Sequence, residues 1–200
     1  MKMPETAVVL AAGLGKRMRP ITDTVPKPLV PVAGRPLIDW GLDALAEAGV
    51  PEAVVNVHYL ADKLVSHLAN RAAPKIVVSD ERDQLLDSAG GIVNALPQLG
   101  AAPFFILNAD TFWVGDAGKP NLAALAEAWD DARMDILLMT ARRDQATGFD
   151  GKGDFVADAE GRLCRARDVA GEPLIYAGAG IIHPRIFAGA EPGVASLNRD

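Results

Sequence analysis

Three cations follow two closely spaced glycines near the start of the chain. The segment Ala7-Val-Val-Leu-Ala-Ala-Gly-Leu-Gly15 leads into Lys16, Arg17 and Arg19, and Pro26-Lys27-Pro28-Leu29 follows shortly after. Small residues let a ligand approach the backbone closely, and successive backbone N–H groups can bind an anion. The cations add positive charge that neutral amides lack. This combination predicts a site for the phosphates of a nucleotide.

Two common phosphate-binding loops do not fit this segment. The Walker A motif has four residues between its glycines and ends in Lys followed by Ser or Thr. Here one residue separates Gly13 from Gly15, and Arg17 follows Lys16. The dinucleotide-binding fingerprint needs a small residue three places after its second glycine, where this chain has Met18. The segment is therefore either another kind of nucleotide loop or a glycine-rich surface turn.

A second candidate for chemistry is Asp110, which follows the apolar run 103–107. Mg²⁺ is typically held by one or two carboxylates together with substrate phosphates and water. An isolated aspartate after a strand is also common as a helix cap or turn residue. Its expected place on the same sheet edge as a cationic loop favours the metal, and with it metal-assisted phosphoryl or nucleotidyl transfer.

The elements that would position these residues alternate between strand and helix. Short apolar runs bounded by glycine, proline or polar residues predict buried strands, at 7–10, 53–57, 75–79, 103–107, 135–140 and 174–182, with an extended piece at 28–32. Helical spacing predicts helices that start at Gly34-Arg35-Pro36 and at 61–69, 89–96 and 122–129. The segment 80–88 is polar and carries the acids Asp80, Glu81, Asp83 and Asp87. The alternation predicts an α/β fold: a three-layer, Rossmann-like, mostly parallel (mixed) sheet flanked by helices.

The composition changes after Arg142, where glycines punctuate short segments. Residues 155–156 and 163–166 suit an antiparallel hairpin. We expect a single domain over 1–200, with a first half at 1–142 and a small antiparallel second portion at 143–200. Ligands of open α/β sheets lie beyond the carboxyl ends of the strands. The loops after Leu10, Ser79 and Leu107 should therefore converge, together with the ends of the later strands.

Composition excludes several classes of function. The net charge of −6 argues against a general nucleic-acid or acidic-membrane binder. The single cysteine, Cys164, excludes an intramolecular disulfide. The N-terminus lacks the apolar core of a signal peptide, and no apolar run is long enough to span a bilayer. We therefore expect a cytoplasmic protein with small-molecule partners, as a monomer or a small homo-oligomer.

Two segments together resemble the signature of the sugar-1-phosphate nucleotidylyltransferases: Leu10-Ala-Ala-Gly-Leu-Gly-Lys-Arg-Met-Arg-Pro20 and the Pro26-Lys27-Pro28-Leu29 that follows it. Gly90-Gly91 and Asn108-Ala109-Asp110 occur in the order that this family shows. Within the family, the compact length, Gly153-Asp154-Phe155 and the segment 176–181 are most similar to the branch that transfers a uridylyl group to N-acetylmuramate 1-phosphate in peptidoglycan recycling. The mannose-1-phosphate guanylyltransferases are the alternative branch.

The resemblance implies a role for each candidate residue. Arg17, Lys27 and Asp110 would be catalytic, and Asp110 would bind Mg²⁺. Asp154, Asp168 and Gly178 would contact the sugar phosphate, so 1–142 becomes a nucleotide-binding half and 143–200 a sugar-phosphate-binding half. Asp154 and Asp168 could equally be turn residues of the hairpin. The residues expected to bind the nucleoside triphosphate are Leu10, Ala11, Ala12, Gly13, Gly15, Lys16, Gly90 and Asn108.

The chain departs from the family pattern at three places. Ala109 replaces a glycine, so its methyl group could crowd the nucleotide, and Asp87-Ser88-Ala89 precede Gly90 where glutamate and threonine are usual. The family also carries a C-terminal Trp-x-Asp-x-Gly-Thr segment with a second metal ligand, whereas this sequence ends at Asn198-Arg199-Asp200, apparently shortened. A non-catalytic nucleotide-sugar-binding module is therefore a second hypothesis beside an active enzyme. The sequence leaves open the choice among UTP, GTP, CTP and dTTP and the identity of the sugar.

Overall fold

The computed structural model describes residues 3–114 and 119–198. Arg199 and Asp200, the end of the proposed sugar-phosphate half, lie outside the described residues. The strands within these ranges are β1 (Thr6–Leu10), β2 (Pro31–Val32), β3 (Arg35–Pro36), β4 (Glu52–Val57), β5 (Lys75–Asp80), β6 (Phe104–Asn108), β7 (Ile136–Ala141), β8 (Phe155–Ala157), β9 (Leu163–Arg165) and β10 (Ile175–Ile182). The α-helices are α1 (Leu37–Glu47), α2 (Ala61–Leu68), α3 (Asp87–Leu99) and α4 (Asn121–Ala128). Of the helices in the described ranges, none has the length and apolar character needed to cross a membrane.

Six strands form one mixed sheet in the order β5-β4-β1-β6-β10-β7. β5, β4, β1 and β6 are parallel neighbours, while β10 runs antiparallel between β6 and β7. Two small antiparallel pairs, β2 with β3 and β8 with β9, lie outside this sheet. The predicted mostly parallel, mixed α/β sheet and the hairpin in the second half are confirmed. β10 belongs to the proposed sugar-phosphate half, yet it is an interior strand of the sheet.

The two faces of the sheet are covered by different helices because side chains alternate along each strand. Ala7 and Val9 pack into a cluster with α1, α2 and α4, whereas Val8 packs into a second cluster with α3. Both clusters consist of buried aliphatic and aromatic side chains. The sheet is therefore the middle of three layers, as predicted, and its core holds the strand ends in fixed register.

The predicted helix start at Gly34-Arg35-Pro36 is wrong. Arg35 and Pro36 form β3, which pairs with β2 across a turn, and α1 begins at Leu37. Ala33 and Gly34 both have positive φ, of 52° and 78°, as a two-residue type I′ hairpin turn requires. The expected extended piece 28–32 is likewise only partly extended, because a 3₁₀ turn spans Lys27–Leu29.

The predicted convergence of strand ends needs one correction. β10 is antiparallel to β6, so Ile182 pairs with Phe104 at the amino end of β6 and Ala179 pairs with Leu107 near its carboxyl end. The start of β10, and not its end, therefore lies at the edge where the parallel strands finish.

Candidate active site

A cavity of about 660 Å³ lies at the carboxyl edge of the parallel strands, within the size range of small-molecule sites. Its walls come from the ends of β1 and β6, from the loops after β1, β5 and β6, and from the start of α3. One residue of β4 and one of residues 193–197 (the C-terminal segment) complete them. The predicted convergence of these loops is confirmed. The lining residues are Leu10, Ala12, Gly13, Leu14, Gly15, Lys16, Arg17, Met18, Lys27, Asn56, Leu85, Asp87, Ser88, Asn108, Asp110 and Val194.

The two glycines of the loop after β1 serve different purposes. A Cβ built on Gly13 meets no atom within 4 Å, so nothing in the packing of the protein requires glycine there. Because Gly13 lines the cavity, its missing side chain leaves room for a ligand. Gly15 has a φ of 62°, and a Cβ there would lie 2.9 Å from Cγ2 of Thr22. Gly15 is therefore required by the fold of the loop itself.

The side chain of Thr22 holds the loop after β1 in place. Its hydroxyl donates a 2.8 Å hydrogen bond to the carbonyl of Gly15, and its side chain is fully buried. The hydroxyl of Tyr59 donates in turn to the carbonyl of Thr22 at 2.9 Å. Thr22 was not predicted from the sequence, because a lone threonine in a short loop carries no pattern of its own.

Lys27 and Asp110 meet at the cavity although 83 residues separate them in the chain. Lys27 lies in the 3₁₀ turn between two prolines, and Asp110 follows the end of β6. The Nζ of Lys27 forms an ion pair with Oδ2 of Asp110, and their side chains are 28% and 33% exposed. Two of the three expected catalytic residues thus lie side by side in the cavity wall.

The third, Arg17, lies with Lys16 in the 3₁₀ turn Lys16–Met18, and both line the cavity. Three cations therefore surround one cavity in a protein whose net charge is negative. Such a local concentration of positive charge suits a ligand that carries several negative charges.

The donor set fits Mg²⁺ only in company with a ligand. Among the described residues, no group of three or more His, Cys, Asp and Glu side chains is arranged to hold a metal. Asp110 nevertheless supplies one carboxylate at a cavity edge lined with cations. Mg²⁺ is commonly held in this way, by one or two carboxylates plus substrate phosphates and water.

Four of the residues predicted to bind the nucleotide lie at the carboxyl ends of β1 and β6. Leu10, Ala12 and Asn108 line the cavity, whereas Ala11 is buried and its N–H donates to Oδ1 of Asn56 at 2.6 Å. Ala109 is 4% exposed and its methyl group packs in the core. The extra methyl therefore points away from the cavity.

Gly90 is buried beneath the C-terminal segment and does not line the cavity. The N–H groups of Ala89 and Gly90 both donate to the carbonyl of Ala195 at 2.9 Å. A Cβ on Gly90 would lie 2.1 Å from the carbonyl oxygen of Gly193. Val194, next to Gly193, lines the cavity. The absence of a side chain at Gly90 therefore allows the C-terminal segment to pack closely against α3 and to form part of the cavity wall.

None of the three predicted sugar-phosphate residues lines the cavity. The carboxylate of Asp154 accepts the N–H of Tyr176 at 2.8 Å, at the start of β10. Gly178 has a φ of 76° at an irregularity of β10, and a Cβ there would lie 2.6 Å from Oγ1 of Thr111, next to Asp110. Asp168 is an exposed turn residue after β9, where it pairs with Arg167. The structure thus brings Gly178 near the Asp110 loop and leaves Asp168 in solvent.

Two titratable groups near these strands have displaced pKa values. Burial raises the pKa of Glu81, an effect opposed by hydrogen bonds from Asn56 and Leu86 and by nearby His58. Burial also raises the pKa of Tyr176, so this phenol is neutral at physiological pH. Glu81 had been noted only as one acid of a polar segment.

Comparison with known proteins gives consistent matches over nearly the whole chain. Residues 7–191 match the model of the MobA-like NTP transferase domain. The chain is 50% identical over 200 residues to N-acetylmuramate alpha-1-phosphate uridylyltransferase of Caulobacter vibrioides, covering 97% of this chain and 81% of that protein. The enzyme of that name from Neisseria meningitidis serogroup B is 37% identical, with 96% and 81% covered. The inositol-1-phosphate CTP transferase from T. maritima has a similar fold, with a TM-score of 0.75 at 22% identity over 98% of this chain and 79% of that one.

Proposed function

The chain belongs to the family of MobA-like NTP transferase domains, and from that membership we propose that it transfers the uridylyl group of UTP to N-acetylmuramate α-1-phosphate. It is a nucleotidyltransferase, since two relatives that match it over nearly its whole length are named for such a reaction. The choice of uridine and of the amino sugar rests on those two names.

One observation carries the chemistry: Lys27 and Asp110 form an ion pair in a cavity wall that also carries Lys16 and Arg17. A nucleotidyl transfer brings the negative charges of a triphosphate and a phosphate monoester together. Fixed cations offset that repulsion and stabilise the charge that develops in the transition state. Lys16, Arg17 and Lys27 all line the cavity in which both phosphate groups would have to meet.

In the proposed reaction, a phosphate oxygen of the sugar 1-phosphate attacks the α-phosphorus of UTP. The new oxygen–phosphorus bond forms as the bond between the α-phosphorus and the bridging oxygen to the β-phosphate breaks, and the electron pair leaves with pyrophosphate. The nucleophile is already an anion, so the step needs no general base. Catalysis then consists of positioning and charge neutralisation.

We assign Arg17 to the triphosphate and Lys27 to the phosphates at the reacting centre. The backbone from Leu10 to Gly15 would hold the nucleoside and its phosphates, with Asn108 near the ribose. Asp110 would hold Mg²⁺, which supplies charge neutralisation to the phosphate oxygens when it is bound. Asp110 also forms the ion pair with Lys27.

The sugar phosphate would approach from the side of β10, where Gly178 contacts the loop after Asp110. We keep Asp154 and Asp168 as sugar-phosphate residues in this proposal. Asp154 already accepts the N–H of Tyr176, so its role toward the sugar would be added to a structural one. We place the reaction in peptidoglycan recycling in the cytoplasm, and the oligomeric state stays a prediction of a monomer or a small homo-oligomer.

Pyrophosphate release tests the proposal. The protein is mixed with Mg²⁺, with UTP, GTP, CTP or dTTP, and with N-acetylmuramate, mannose or glucose 1-phosphate in every pairing. We expect the fastest release from UTP with N-acetylmuramate α-1-phosphate. Faster release from GTP with mannose 1-phosphate would replace this substrate assignment by the guanylyl one. Nucleotide binding with no release from any pair would instead support a non-catalytic binding module.

A further inference from the structure

Glu81 is a buried carboxyl group that the proposed reaction does not use. It directly follows β5 and opens the polar segment that leads to α3. Its neighbours Asp80 and Arg82 are exposed, but only 3% of the surface of Glu81 is accessible. A buried carboxylate is costly unless its oxygens accept hydrogen bonds, so its partners indicate what it holds in place.

One oxygen of Glu81 acts on the loop after β1 through Asn56. The Nδ2 of Asn56 donates to Oε1 of Glu81 at 2.8 Å. The Oδ1 of the same amide accepts the backbone N–H of Ala11 at 2.6 Å. Both side chains are nearly inaccessible, and Ala11 lies between two cavity-lining residues. The hydrogen bond to Glu81 therefore fixes the orientation of the Asn56 amide. In that orientation the amide oxygen faces the N–H of Ala11, at the start of the loop after β1.

The other oxygen acts on the opposite wall of the cavity. Oε2 of Glu81 accepts the backbone N–H of Leu86 at 3.2 Å. Leu86 is flanked by Leu85 and Asp87, which line the cavity. The carboxylate thus connects the two walls of the nucleotide cavity, with one oxygen for each.

Gly91 makes room for this connection. A Cβ at Gly91 would lie 2.7 Å from Oε1 of Glu81 and 2.7 Å from Nδ2 of Asn56, closer than side-chain Cβ atoms approach other atoms. The second glycine of the Gly90-Gly91 pair is therefore required by the hydrogen bond between Asn56 and Glu81. Its φ is ordinary for a helix, so the close approach is the reason for glycine here.

We infer that Glu81 is a positioning residue for the nucleotide: through Asn56 and Leu86 it sets the distance between the two walls that would hold UTP. The inference rests on the proposed function, because it concerns the same cavity. Glu81 touches no substrate in this assignment and takes no part in the transfer step.

The test exchanges hydrogen-bond donor and acceptor between the buried side chains of Asn56 and Glu81. Glu81→Gln keeps the size of the side chain but turns one acceptor into a donor, which then faces either the Asn56 amide or the Leu86 N–H. The double variant Asn56→Asp with Glu81→Gln reverses the direction of the bond between positions 56 and 81. It keeps an acceptor for Ala11 and another for Leu86, and the charge of the pair is unchanged. Glu52→Gln, on an exposed ion pair with Lys75 at the start of β4, is the matched control.

The readouts are the Kd for UTP by calorimetry, the KM values for both substrates and the thermal unfolding midpoint. We expect Glu81→Gln to raise the Kd and KM for UTP by about ten-fold to a hundred-fold, the effect of leaving one buried donor unpaired. The KM for the sugar 1-phosphate should not change, and the double variant should bind UTP more tightly than Asn56→Asp alone, which places the same carboxylate in the cavity wall but opposes it to Glu81. A purely structural role would lower the unfolding midpoint and the active fraction but leave the Kd of the folded molecules unchanged.

Each outcome separates the two proposals. A wild-type Kd in folded Glu81→Gln overturns the inference and leaves the proposed function intact. If Glu81→Gln does not fold, the double variant carries the test against Asn56→Asp alone, since both have the same carboxylate at position 56. A folded double variant that binds UTP no more tightly than Asn56→Asp likewise overturns the inference. A wild-type protein that binds none of the four nucleoside triphosphates overturns the proposed function, and this inference with it.

Discussion

Removing either member of the Lys27–Asp110 pair should abolish most turnover while the protein stays folded. Lys27→Ala takes away the cation assigned to the reacting phosphates, and Asp110→Ala takes away the carboxylate assigned to Mg²⁺. Loss of one group that stabilises transition-state charge typically lowers kcat by about 10²–10³-fold. We expect a loss of at least this size in each variant.

The Lys27–Asp110 ion pair contributes little to stability, so a loss of turnover in either variant can be distinguished from a loss of folding. Both side chains are about one third exposed, and ion pairs of this kind contribute about 0–1 kcal/mol. For a domain of this size, each kcal/mol corresponds to a shift of about 2–4 °C in Tm. Each variant should therefore unfold within a few degrees of the wild type.

The assay follows pyrophosphate release at saturating UTP and sugar 1-phosphate, beside thermal unfolding of the same samples. Lys75→Ala is the matched control, because Lys75 also forms an ion pair, with Glu52 at 2.9 Å, at the opposite end of the parallel strands. It should retain wild-type kcat. Near-normal turnover by folded Lys27→Ala or Asp110→Ala would refute the assignment, and a fall in kcat that tracks a large fall in Tm would show that the pair is structural.

Three further variants test separate parts of the site. Gly13→Ala should leave Tm unchanged, since its Cβ meets no protein atom within 4 Å, but should weaken UTP binding in calorimetry; unchanged affinity would mean that no ligand occupies that space. Gly90→Ala should displace the segment around Gly193, because its Cβ would lie 2.1 Å from that carbonyl, and hydrogen exchange of 193–197 should accelerate relative to wild type. Burial raises the pKa of Glu81 above its ordinary value of 4.5. Between the ordinary and the raised pKa the folded chain binds more protons than the unfolded chain, so this group's contribution to stability falls as pH rises through that interval. The urea unfolding free energy of the wild type minus that of Glu81→Gln should therefore decline from pH 4.5 toward 7, and a difference that rises with pH would contradict the sign.

The strands could be predicted because each is an apolar run with a clear boundary, but the direction of β10 could not. Gly178 and Gly180 interrupt an apolar segment in a way that indicates burial and says nothing about pairing partners. The helix start at Pro36 failed for a related reason. Proline suits both the first turn of a helix and the end of an edge strand, and the turn at Ala33 and Gly34 decided between them.

Residues of the cavity could be predicted where they belong to a contiguous motif or directly follow a buried strand. Lys27 and the Gly13 loop could be recognised together, and Asp110 could be placed with them from the rule on strand ends. Asn56 and Glu81 were not, because their bonds join positions 45 and 25 residues apart in the chain. Asn56 lies within the apolar strand β4 and Glu81 directly follows β5, and only the packed sheet brings the two side chains together.

The glycines show how one residue type can have opposite meanings within a single site. Gly13 is surrounded by open space at the cavity, so its smallness is available to a ligand. A Cβ on Gly90 would lie 2.1 Å from the C-terminal segment, and a Cβ on Gly91 would lie 2.7 Å from both members of the Asn56–Glu81 bond, so the space beside these glycines is already filled by protein. A glycine pair near a nucleotide site suggests direct contact with the base. In this chain neither glycine lines the cavity. Both instead make room for the packing behind its wall, so the shape of the cavity depends on buried residues as well as on those that line it.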